Sequence, residues 1–216
     1  MSIMKLENNE IMRTFKYQII GGKIVSMAPL ANPNHGKVSN RINIALSNYF
    51  DEIGGNYEVY HDNNYLRLDI IAREKNIVIP EEYKKDKYIP DVMVCDNTID
   101  TMKGVIGAPV LIAEVLSKGT EDYDRKIKKD VYEQIGVNEY WIIDPGLKSI
   151  NIYILQDGKY VSYKTYYKYS EDEIELIKYE RQEMGKTFEI VKEFSPYIFP
   201  DLKIKINDVF KNLIKE

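Results

Sequence analysis

The chain has 216 residues, 44% apolar and 30% charged, the mix of a globular protein large enough to bury a core without a disulfide or metal staple. A single cysteine, Cys95, excludes an intramolecular disulfide, and with two histidines no protein-only soft-metal site is expected. The net charge of −4 argues against a surface that binds nucleic acid all over, although residues 1–50 carry +4, so an anionic partner would approach there more easily. No apolar run approaches the ~18 residues of a membrane span. Met1–Glu10 has no apolar signal-peptide core. A cytoplasmic location without membrane contact is therefore expected.

In chain order, Lys16–Ile20 and Lys23–Met27 are apolar-rich runs around Gly21-Gly22, a hairpin signal because both glycines tolerate positive φ. Ala28–Pro33 reads as a loop. From Asn34 to Phe50 the positions Val38, Ile42, Ala45, Leu46 and Tyr49 have helical spacing. Lys37 and Arg41 share a face of that helix, and Gly54-Gly55 ends it. Short strands are expected at Tyr57–Tyr60 and Tyr65–Ile71, then a polar loop over 72–88, then a strand over Asp91–Cys95. Pro109–Leu116 is almost wholly apolar, as suits a central strand covered on both faces. Thr120–Ile135 reads as a helix with Thr120 as N-cap and Gly136 just beyond its end. Strands follow at Glu139–Ile143, Ile150–Leu155 and Tyr160–Tyr166, the last two joined by the Asp157-Gly158 turn. Lys203–Ile206 and a short helix at Asn207–Ile214 close the chain. With no repeat or linker, residues 1–216 read as one domain, a mixed α/β sandwich.

Glu114 is the residue least at home in its surroundings. A carboxylate inside Val110-Leu111-Ile112-Ala113-Glu114-Val115-Leu116 pays for desolvation unless it is paired or holds a metal. Asp91 follows Pro90 at the entry of another strand. If the two strands are neighbours, the acids converge at one edge of the sheet and call for a cation between them. Hard oxygen ligands without Cys or His indicate Mg²⁺ or Mn²⁺. On the Thr120–Ile135 helix, Tyr123, Ile127, Val131 and Ile135 form an apolar stripe. At 100° per residue Lys128 falls about 60° from its centre, while Lys126 and Lys129 point almost opposite. Periodicity alone leaves open whether Lys128 reaches inward or forms a surface pair with Asp124.

Glu114-Val-Leu-Ser117, Thr120, Asp124, Lys128, Tyr132 and Gly136-Val-Asn-Glu-Tyr-Trp-Ile-Ile-Asp-Pro145 carry a resemblance. So do Tyr17, Gly22–Met27, Pro29, His35, Pro90–Val94, Ser195-Pro196, Pro200–Leu202 and Val209-Phe210. Together they resemble the bacterial Uma-two family, grouped with the restriction endonucleases in the PD-(D/E)XK nuclease superfamily. The resemblance implies a restriction-endonuclease-like fold: a mixed central sheet flanked by helices, with an N-terminal hairpin and extra C-terminal antiparallel strands. It implies that Asp91, Glu114 and the main-chain carbonyl of Val115 ligate a divalent metal. The superfamily's usual lysine position, two residues after the glutamate, is Leu116 here. The family carries its lysine on the next helix instead, at Lys128, and His35 matches a recurrent position near the cleft. Gln18 and Lys23 stand where many members have acids.

The reaction implied is metal-dependent hydrolysis of DNA phosphodiester bonds. Lys128 would orient or deprotonate the water and stabilise developing charge, and Lys37 and Arg41 would contact the DNA backbone. Duplex cleavage by paired sites would make the protein a homodimer. The alternatives are a catalytically weak nucleic-acid- or protein-binding module of the same fold, or an enzyme acting on small phosphate substrates. Walker, G-x-S-x-G, HExxH and CxxC motifs are absent. The many tyrosines between Tyr153 and Tyr179 suit half-buried antiparallel strands, and Trp141 suits the core.

Overall fold

The computed structural model describes residues 17–20, 23–26, 32–62, 64–78, 87–96, 99–101 and 104–214. The hairpin turn at Gly21-Gly22 and residues 28–31 of the loop expected over Ala28–Pro33 lie outside them. The hairpin strands themselves form, β1 (Tyr17–Ile20) pairing antiparallel with β2 (Lys23–Ser26). Next comes α1 (Pro33–Ile53), started by Pro33 in its first turn and by Asn32 Oδ1, which accepts from Asn34 N at 2.9 Å. It stops at Gly54, whose φ of 66° suits a residue without Cβ.

The centre is a six-stranded sheet. Its members are β3 (Tyr57–His61), β4 (Val92–Asp96), β7 (Leu111–Val115), β8 (Glu139–Asp144), β9 (Ser149–Gln156) and β10 (Lys159–Tyr167). They stand in the order β10-β9-β8-β7-β4-β3, and only the β7–β8 pair is parallel. Between β7 and β8 the chain makes a π-helical turn (Tyr123–Lys128) that runs on into helix α3 (Lys129–Gln134).

Strand alternation sends side chains to two cores. Val92, Val94, Leu111, Ala113, Val115, Trp141 and Ile143 face α1, which buries Val38, Ile42, Leu46 and Phe50 at four-residue steps. The C-terminal segment completes this layer with β11 (Glu193–Phe194), β12 (Ile204–Lys205), helix α5 (Ile206–Val209) and the side chains of Phe199, Leu202 and Phe210. The opposite face carries Met93, Cys95, Ile112, Tyr140 and Ile142. It is covered by Val131, Tyr132 and Ile135, by Ile20 of the hairpin, and by helix α2 (Leu68–Glu74). Each aliphatic side chain fully buried in these layers contributes about 1.5–3 kcal/mol.

The strand Glu193–Phe194 was not expected, the closing helix is Ile206–Val209 and not Asn207–Ile214, and three larger segments also depart from the sequence expectations. Tyr65–Ile71 is not a strand: Leu66 makes isolated bridges, and α2 begins at Leu68. Leu68, Ile71 and Ala72 are buried at helical spacing, and Asp69 sits in the first turn, paired with Arg67 at 2.7 Å. The alternation of Leu66 and Leu68 imitated a strand at the point where the period changes. A hairpin of β5 (Ile99–Thr101) and β6 (Gly104–Ile106) was not expected. Nor was α4 (Glu171–Glu183), which buries no residue and is held by a capping box between Ser170 and Glu173. No helix of the described residues is long and apolar enough to cross a membrane.

The C-terminal layer is fastened to the sheet through Glu139, which is fully buried. Its carboxylate accepts from Trp141 Nε1 at 2.7 Å and from the backbone N–H groups of Tyr197 and Ile198, each at 3.0 Å. Glu139→Ala leaves these donors unpaired. It is expected to lower the unfolding free energy by about 2–4 kcal/mol, read as a lower urea midpoint. An unchanged midpoint would show that Glu139 is not the fastening.

Candidate active site

The site is built where β4 and β7 part. Their antiparallel register pairs Val94 with Leu111 and ends at Val92 with Ala113; carried on, it would set Asp91 opposite Glu114 at the next step and Pro90 opposite Val115 at the one after. Proline has no N–H to continue the ladder. Beside it, the Val115 N–H donates to the Asp91 side chain, at 2.7 Å from Oδ2. Directly opposed residues of an antiparallel pair point to the same face, so both acids project to the side covered by the π-helical turn and α3.

Lys128 rises to meet them. Its Nζ is 3.0 Å from Glu114 Oε1 and 2.8 Å from Asp124 Oδ1, and all three side chains are at most 2% exposed. Of the two readings of Lys128 the structure shows the inward one: the i, i+4 pair with Asp124 forms, but buried inside the protein and not on its surface. Its neighbours are engaged elsewhere, Lys126 with exposed Asp122, Lys129 over the Tyr153 ring and Arg125 with Glu121. Tyr132 OH donates to Glu114 Oε1 at 2.8 Å, and Tyr140 OH donates to the Asp124 carbonyl at 2.9 Å, holding the π-helical turn against the sheet. His35, in the first turn of α1, places Nε2 3.1 Å from Asp91 Oδ2.

The electrostatics follow from this crowding. Burial pushes the Glu114 carboxyl up to about 8; Lys128 opposes the shift, while Asp91 and Asp124 reinforce it. Burial likewise raises Asp124, against the pull of Lys128. Burial opposes ionisation of Asp91 too, but the His35 hydrogen bond and charge, Lys128 and the Val115 N–H outweigh it and hold Asp91 below the usual carboxylate range. Burial disfavours charge on His35 and on Lys128, yet the surrounding acids raise both.

Among the described residues no three His, Cys, Asp or Glu side chains converge as a ready metal cluster. The donor chemistry nevertheless fits a hard divalent cation. Asp91, Glu114 and Asp124 gather around Lys128 and His35, three carboxyl groups against two basic side chains. Asp124 Oδ1 is the one buried side-chain oxygen among the described residues without a well-directed hydrogen bond; the ammonium lies close but off its axis. Val115, at the end of β7, adjoins both acids.

Other expected site residues are placed differently. Lys37 Nζ donates to the Asn212 carbonyl at 2.9 Å, and Arg41 donates to the carbonyls of Val209 and Lys211 at 3.1 and 2.6 Å. Both head groups tie α1 to the C-terminal segment. Gln18 is buried beside the site, its Oε1 accepting from Ile89 N at 3.1 Å, whereas Lys23 is exposed. Sequence reasoning gave no role to Tyr132 and treated Asp124 only as a surface partner. The signal was the run Asp124, Lys128, Tyr132, three polar side chains on one face at four-residue steps.

Glu114 and His35 both have folded-state values above their unfolded ones. Their contribution to stability is therefore full at low pH and is lost as pH rises through the folded values. The metal-free protein is expected to lose melting temperature steadily from pH 5 to about 8.5, with a shallower slope in Glu114→Gln. Equal slopes in the two proteins would show that Glu114 is not the group that titrates.

Comparison with known proteins adds to this geometry. The chain is similar to a crystal structure described as a putative nuclease belonging to DUF820 from Anabaena variabilis, with a TM-score of 0.60 and 14% identity, covering 92% of this chain and 91% of that one. At that identity the likeness shows the fold. No curated protein matches. The family model described as "Putative restriction endonuclease" matches residues 5–178, and the chain therefore belongs to the Uma2 family.

Proposed function

We propose that the protein is a metal-dependent endonuclease that hydrolyses DNA phosphodiester bonds. One observation carries this reading: a helix brings the Lys128 ammonium to 3.0 Å from Glu114, on the sheet face that Asp91 shares, although the strand position usual for such a lysine is Leu116. Asp91, Glu114 and the Val115 carbonyl would hold Mg²⁺ or Mn²⁺. When bound, such an ion polarises the phosphate and makes water a stronger nucleophile at neutral pH.

The residues of the chain have separable tasks. The Val115 N–H and the His35 imidazole fix the Asp91 carboxylate, and Tyr132 fixes Glu114. Lys128 is held protonated by the acids around it. Its task is therefore to steady negative charge developing on the phosphate and to orient the water, rather than to take a proton from it. DNA approaches along the first turns of α1, where Lys37 and Arg41 lie. The protein acts as a single cytoplasmic domain, paired into a homodimer so that two sites reach the two strands. A solution mass of one chain at high concentration would remove the dimer from this reading.

A binding module of the same fold is the second reading. Gln18 favours it: this buried amide sits next to the strand entry that carries Asp91 and supplies no carboxylate.

Cleavage of plasmid and single-stranded DNA, with calorimetric Mn²⁺ titration of each variant, tests the two. Glu114→Gln and Lys128→Ala are both expected to fold and to lose Mn²⁺-dependent cleavage by at least about 100-fold. Metal affinity is expected to fall in Glu114→Gln and to be kept or tightened in Lys128→Ala, which no longer places a cation beside the site. Because Glu114 must shed its proton to bind metal, wild-type affinity is expected to rise from pH 6 to about 8 and then level off. Cleavage that survives in Glu114→Gln sinks the proposed site; a wild type that neither cleaves nor binds Mn²⁺ establishes the binding-module reading.

The double variant Lys37→Ala, Arg41→Ala is expected to weaken DNA binding and reduce its salt dependence. It is also expected to lower the melting temperature, since each side chain secures C-terminal carbonyls. Unchanged DNA affinity with lowered stability would assign both residues to the fold alone.

A further inference from the structure

The nuclease reading leaves Asp124 without a task. Asp124 is 1% exposed, and burying a third carboxylate beside Asp91 and Glu114 costs free energy that an apolar side chain of similar volume would avoid. Its place is nonetheless well secured. The backbone there is a π-helical turn, a departure from regular helix that is common at functional sites. Tyr140 holds its carbonyl, its own N–H donates to the Thr120 carbonyl at 3.0 Å, and the Thr120 hydroxyl lies 3.0 Å from the Ser117 hydroxyl.

We propose that Asp124 is a positioning residue that keeps the Lys128 ammonium in the site when Glu114 is engaged by a divalent cation. The ammonium bridges two carboxylates, Glu114 at 3.0 Å and Asp124 at 2.8 Å. A cation on Glu114 draws that carboxylate's charge away from Lys128 and repels the ammonium directly. Asp124 is the partner that remains. It lies one helical turn before Lys128, so the two move as one unit, and it fixes where the positive charge stands relative to the phosphate. This role rests on the nuclease reading; the contact through which it acts exists in the metal-free protein and is measured there.

The test compares Asp124→Asn, of equal size but uncharged, with Asp124→Glu, which keeps the charge. The ammonium of Lys128 is followed by nitrogen NMR in the metal-free protein, with Lys128→Met assigning the signal. In Asp124→Asn the ammonium is expected to shift and to exchange with water at least about tenfold faster, while Mn²⁺ affinity stays within about threefold of wild type. Turnover is expected to fall about 10- to 100-fold with KM nearly unchanged, and Asp124→Glu is expected to recover part of it. An unaltered ammonium signal in Asp124→Asn overturns the proposal. So does a tenfold or greater loss of Mn²⁺ affinity, which would make Asp124 a ligand, and so does failure of both variants to fold, which would make it structural. A wild type without cleavage defeats the nuclease reading, while the ammonium signal still decides whether Asp124 holds Lys128.

Discussion

The structure depends on how one buried ammonium is shared. Lys128 lies between Glu114 on the central strand β7 and Asp124 on the π-helical turn, and Asp91 adds its charge from just before β4. A buried ion pair contributes little net stability, because desolvation offsets most of the attraction, but breaking one leaves a buried charge uncompensated. The connection between β7 and β8 is thereby committed to one placement over the sheet. Slipping by one residue would turn Lys128 and Asp124 away together and leave Glu114 buried without a cation. Tyr132 and Tyr140 make the same commitment with their hydroxyls, one to Glu114 and one to the Asp124 carbonyl. Their rings meet edge to face at 5.4 Å, so the polar contacts sit on a packed aromatic floor.

Much of the fold was legible because its signals are local. The four-residue steps of Val38, Ile42, Leu46 and Phe50 are those of a helix lying on a sheet, and Gly54 marks its end. Leu111–Val115 reads as buried on both faces and is. The stripe on the Thr120–Ile135 segment singled out Lys128 among crowded basic residues, and the structure turns it inward. The failures were equally physical. At Leu66–Ala72 two apolar positions fit both a strand and a helix, and only the tertiary setting, α2 packed into the core layer that holds Met93 and Ile112, decides. α4 has no apolar periodicity to find because it buries nothing; its capping box was the only local mark.

The site was legible in residue types rather than in connections. That Asp91 and Glu114 share a face depends on the register of two strands that are distant in sequence, and no local pattern states it. The π-helical turn has no sequence signature, so a regular helix was the only geometry available for placing Asp124 and Tyr132. Lys37 and Arg41 show the same limit: that they share a helix face is a local pattern, whereas their carbonyl partners on Val209, Lys211 and Asn212 are distant in sequence.

Two fully buried glutamates in this sheet make the clearest internal contrast. Both carboxyls are raised by burial. Glu139 answers that cost with three N–H donors from Trp141, Tyr197 and Ile198, and no charged group among the described residues contributes to its shift. It is satisfied as it stands, and satisfaction is what a structural role requires. Glu114 has one tyrosine hydroxyl, an ammonium it shares with Asp124, and two like charges nearby. Its environment would be relieved by more positive charge, and the residues that would admit it stand where the β4–β7 ladder opens. Burial alone does not separate these two glutamates; what separates them is whether the protein has already supplied everything the carboxylate needs.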